Sequence, residues 1–84
     1  MNVTEAKSLT EKMFNYVNSS SSFHCEMPNA TALKITGATF IGSVMYYPTS
    51  NKAVINSDET AQLFGDKTVV IPLKELLSKL VGAI

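Results

Sequence analysis

The chain has 84 residues, with seven Lys and no Arg against seven acidic residues, one His, one Cys and no Trp, so its formal net charge is zero. Charged residues make up 17% of it, below the ~25% usual in soluble domains. That balance argues against a sequence-specific nucleic-acid reader, because Arg best forks onto phosphate and guanine. The single Cys25 rules out an intrachain disulfide and a thiol pair for zinc, and no apolar run approaches the ~20 residues that cross a bilayer.

Asn2 followed by Glu5 has the spacing of a helix start. Val3, Ala6, Leu9, Met13, Phe14, Tyr16 and Val17 then fall within an arc of about 160° at 100° per residue, which predicts a first helix over residues 3–18. The Asn18–Ser22 run ends it, since Ser and Asn side chains compete for backbone hydrogen bonds. Phe23, Cys25 and Met27 alternate with His24 and Glu26, a half-buried strand closed by Pro28 and Asn29.

Residues 32–47 are the most strand-like stretch. Leu33 and Ile35 alternate with Lys34 and Thr36, and Gly37 marks a bulge or turn. From Thr39 to Tyr47 apolar residues fall on both faces: Phe40, Val44 and Tyr46 on one, Ile41, Met45 and Tyr47 on the other. A strand of that kind needs cover on both sides, expected from helices on one and another subunit on the other.

Pro48–Asn51 forms a turn, and residues 52–56 return as the hairpin partner. Ser57 and Asp58 have the character of a helix cap, with Gly65 as a stop, and residues 58–64 fit either one helical turn or a loop. Residues 67–71 read as a short buried strand, and Pro72 suits a first helical position. Leu73, Leu76, Leu77, Leu80, Val81 and Ile84 span about 140° of a last helix, with Glu75 and Lys79 paired on its outer side. The expectation is one α+β domain over residues 1–84, ordered α-β-β-β-β-(short α)-β-α, with the helices on one face of a mainly antiparallel sheet.

Few residues carry chemistry. His24 and Glu26 project to one side and could supply two metal ligands, but a third would have to come from elsewhere, so no metal and no cofactor are expected. Cys25 alternates with apolar residues and points away from His24, which makes it a core thiol rather than a nucleophile. The four glycines match neither a P-loop nor a dinucleotide fingerprint. Asp58 and Glu59 are accounted for by helix capping.

These exclusions leave interaction as the expected role. Small domains without disulfides or metals gain stability from a partner chain, and a neutral surface favours association of copies; a homo-oligomer is expected. Tyr46 and Tyr47, beside the turn at Pro48, are the candidate contact pair, with Lys34, Lys52 and His24 as further candidates. The leading expectation is a small non-enzymatic, oligomeric, cytoplasmic binding protein that occupies a partner protein's surface or sequesters a ligand. Nucleic acid and membrane are not expected partners. A small-molecule binder with its site between subunits, a small enzyme using His24 and Glu26 there, and a structural assembly subunit are the alternatives. No motif ties the chain to a family; a short, Arg-free, motif-poor chain has the general style of a phage or mobile-element accessory protein.

Overall fold

In a computed structural model that describes residues 2–82, Asn2 caps helix α1 (Val3–Asn18): its Oδ1 accepts from the Glu5 N–H at 2.8 Å and its Nδ2 donates to Glu5 Oε1 at 3.1 Å. The reciprocity predicted from the spacing is present, closed through the Asn2 side chain. The buried stripe is narrower than the apolar periodicity suggests: Val3 is 78% and Tyr16 47% exposed, while Thr10 is fully buried. Thr10 is accommodated because its hydroxyl donates to the Ala6 carbonyl at 2.8 Å, which pairs the one donor that its burial takes out of water.

Five strands follow: β1 (Phe23–Asn29), β2 (Ala32–Gly37), β3 (Val44–Tyr47), β4 (Lys52–Ile55) and β5 (Thr68–Val70). They form one antiparallel sheet in chain order, a meander with β1 and β5 at its edges. Pro28 lies within β1, where an edge position tolerates its missing donor, and the β1–β2 register shifts between Glu26 and Asn29. Short helix α2 (Asp58–Ala61) connects β4 to β5, and α3 (Leu73–Val81) ends the described fold.

One core joins the helices to a single sheet face. Val17 of α1 and Leu73, Leu76, Leu77 and Leu80 of α3 belong to the same buried cluster as Cys25, Leu33, Ile35, Val44, Tyr46, Ala53 and Ile55. The α+β order, the antiparallel sheet and the helices on one face agree with the sequence reading.

The differences have local causes. The expected strand over 39–47 shrinks to Val44–Tyr47. Gly42 takes a positive φ of 81°, and the Asn56 side chain holds Ser43 at two points, accepting from its N–H at 2.7 Å and donating to its Oγ at 2.9 Å. Residues 38–43 are therefore a loop. Phe40 still reaches the core from it, its ring 6.3 Å from that of Phe23, while Ile41 is 58% exposed.

The region 58–64 resolves into both of its alternatives: one helical turn over Asp58–Ala61, capped by Ser57, then a turn in which Gly65 N–H donates to the Ala61 carbonyl at 3.0 Å. The strand expected buried at 67–71 is a three-residue edge, with Val70 78% exposed because only β4 flanks it. Pro72 caps α3 rather than entering it; its ψ of 144° is extended. Lys79 lies 5.6 Å from the Phe64 ring centre instead of pairing with Glu75, a cation–π contact that competes with an exposed ion pair. Ile84, the last residue of the predicted α3 stripe, lies outside the described residues.

Candidate functional site

Because side chains alternate along a strand, the register defines the second face of the sheet, opposite the helices. Glu26 pairs across to Lys34, Lys34 to Met45, Met45 to Val54, and Val54 to Thr68. One step along, Tyr47 stands opposite Lys52 and Lys52 opposite Val70, while His24 faces Thr36 at the other end. None of these side chains belongs to the buried helix-side core. Of the five candidates read from the sequence, His24, Lys34, Tyr47 and Lys52 thus share one face.

Tyr46 does not, and its expected contact role is corrected. It is fully buried on the helix side, with its hydroxyl 2.8 Å from Asn51 Oδ1 and 2.8 Å from the Ile71 carbonyl. One proton cannot serve both oxygens. Donated to Ile71, it leaves the Asn51 amide free to turn its NH₂ toward the phenol oxygen. Burial raises the Tyr46 hydroxyl pKa above its usual value. The tyrosine is a tie between β3, the β3–β4 turn and the entry to α3. Asn51 in that turn is the one non-glycine residue with positive φ among those described, at 54°.

The uncovered face has a polar end and an apolar centre. His24 Nε2 lies 3.5 Å from Glu26 Oε1, both side chains largely exposed. Met45, Tyr47 and Val54 are half-buried and Val70 stands out in solvent. Chemistry is sparse there: among the described residues no group of three His, Cys, Asp or Glu side chains converges to hold a metal. Cys25 faces the core at 2% exposure, away from His24. Burial first, and the Glu26 carboxylate second, push its thiol up to about 11, so it holds its proton at neutral pH.

A second feature escaped the sequence reading. On the helix side, α1 and the start of α3 flank an open surface groove of about 410 Å³. Met13 and Tyr16 of α1 and Pro72 and Leu73 at the α3 entry give it an apolar lining; Lys12 of α1 and Lys74 of α3 stand on its two walls, and Asn51 of the β3–β4 turn also lines it. A smaller depression of about 290 Å³ shares Tyr16 and Lys74 with it and is lined also by Phe23 and Leu77. The only sequence hint was Tyr16 at the margin of the α1 stripe. The pairing of residues 12–16 with 72–74 is set by the fold, not by local pattern.

Comparisons of the chain with protein-family models, with curated proteins and with solved structures find no match.

Proposed function

We propose that the protein is a small non-enzymatic binding module that works through the uncovered face of its sheet, with a second copy of the chain as occupant. One observation carries the reading: half-buried Met45, Tyr47 and Val54 and exposed Val70 form a neighbouring apolar group that runs from the centre to the β5 edge of a face that no helix covers. Exposed apolar groups rimmed by polar side chains mark interaction surfaces.

Charge placement favours a copy of the same chain over a strongly charged partner. The face carries both signs, with Glu26 and Lys34 opposite one another on β1 and β2 and Lys52 on β4 toward the β5 edge. A two-fold axis along the strands lays one copy's β1 side over the other's β4–β5 side and turns each Glu26 toward the partner's Lys52, an isologous arrangement. Net neutrality removes long-range repulsion between copies. Tyr47 contributes its ring to the contact and its hydroxyl to the rim, a combination common in interfaces.

Light scattering during size-exclusion chromatography, at tens of micromolar, tests this. The expected mass is that of a dimer; a clean 9.1 kDa monomer contradicts the reading.

A further inference from the structure

The groove between α1 and α3 lies on the helix side of the sheet, so what it does is independent of self-association through the opposite face. Its lining is apolar on both walls, through Met13 and Tyr16 on one and Leu73 on the other. Its volume of about 410 Å³ falls in the range of small-molecule sites, about 300–1,000 Å³.

Charge sets the ligand class. The groove's charged residues are Lys12 and Lys74, one on each wall, and no acidic side chain lines it. Among the described residues the ion pairs are His24 with Glu26 and Lys67 with Asp58, so neither groove lysine is neutralised by the protein itself. Lys79, by contrast, is engaged over the Phe64 ring. Lys74 also sits in the first turn of α3, where the helix dipole disfavours a cation. Two ammonium groups across an apolar trough complement a molecule with an apolar body and one anionic head.

We propose that this groove binds a free amphiphilic carboxylate, its hydrocarbon body against Met13, Tyr16 and Leu73 and its carboxylate between Lys12 and Lys74. Asn51 also lines the groove, but its side chain is held by the Tyr46 hydroxyl, so the two lysines supply the charge that meets the head. The ligand is held noncovalently and released unchanged.

The test is an amide-resolved NMR titration of the full chain with decanoate below its micelle concentration, with decan-1-ol as the uncharged control. Saturable shifts confined to α1, residues 49–51 and the start of α3, at clearly lower concentration for decanoate than for the alcohol, are expected. The double variant Lys12→Met, Lys74→Met keeps the aliphatic stems. With its fold verified by circular dichroism, it should lose decanoate affinity by roughly three- to tenfold, the scale of two exposed charge contacts, while Lys7→Met, on the exposed side of α1 and outside the groove lining, leaves affinity unchanged. No saturable shifts, equal affinity for acid and alcohol, shifts confined to the sheet face, or an unaffected double variant would each overturn the proposal. So would binding seen only with anionic phospholipid vesicles, which would assign the lysines to a membrane surface.

Discussion

The side chain of Asn18 closes the free edge of the sheet on Cys25. Its Oδ1 accepts from the Cys25 N–H at 2.9 Å and its Nδ2 donates to the Cys25 carbonyl at 3.2 Å. Those are the two bonds that a further strand would make beside β1, and the last residue of α1 supplies both. An edge strand left open is a template for pairing with another chain. Replacing Asn18 with Ala should cost about 1–3 kcal/mol, the scale of leaving partly buried polar groups unsatisfied. Urea denaturation measures it, and an unchanged midpoint would remove Asn18 from the account. The same variant should aggregate faster, since the β1 edge is then open.

Cys25 gives a pH-dependent prediction. Its thiol pKa is raised from 9.0 to about 11 in the fold, so the unfolded chain ionises first as pH increases. The stability this group contributes is intact below pH 9 and is lost as the pH rises through about 11. Tyr46, also raised by burial, acts in the same direction. Thermal denaturation from pH 8 upward should show the decline, and Cys25→Ala should flatten part of it. At neutral pH the thiol should react with iodoacetamide far more slowly than a free cysteine peptide, and comparable rates would contradict the core placement.

The two adjacent tyrosines should separate cleanly. Tyr46→Phe removes the hydroxyl that ties β3 to Ile71 and Asn51; it should lower stability by about 1–2 kcal/mol and leave self-association intact. Tyr47→Ser should do the reverse, weakening association with little effect on the denaturation midpoint. Equal behaviour of the two variants in both assays would contradict the assignment of faces.

The local elements were legible because their determinants are local. The cap at Asn2, the alternation from Phe23 to Met27 and the leucine spacing of α3 each lie within a few residues of one another. Alternation also separated Tyr46 from Tyr47, but not which of them faces the helices. That depends on Ala53 and Leu33 opposite Tyr46, and hence on sheet register. The loop at 38–43 was hidden for the same reason. Its conformation rests on Asn56 reaching back to Ser43 and on the Thr60 hydroxyl donating to the Ile41 carbonyl at 2.7 Å, contacts 13 and 19 residues apart. The α1–α3 groove joins the two ends of the chain and has no signature within either. The uncovered face was half legible: the polar side of β1 and the outward residues of β3 could be read, but not that the register brings them into one surface.

The central claim is that the uncovered face, and Met45 at its centre, is where this protein meets its partner. Met45→Glu places a charge there without touching the helix-side core, and Lys7→Glu on the exposed side of α1, a larger change in net charge made away from that face, is the control. Sedimentation velocity of the two variants beside the unaltered chain is the most direct measurement. The account predicts a dimer for the unaltered chain and for Lys7→Glu, and a 9.1 kDa species with an unchanged circular dichroism spectrum for Met45→Glu. If Met45→Glu sediments as the unaltered chain does, the face is not the contact surface.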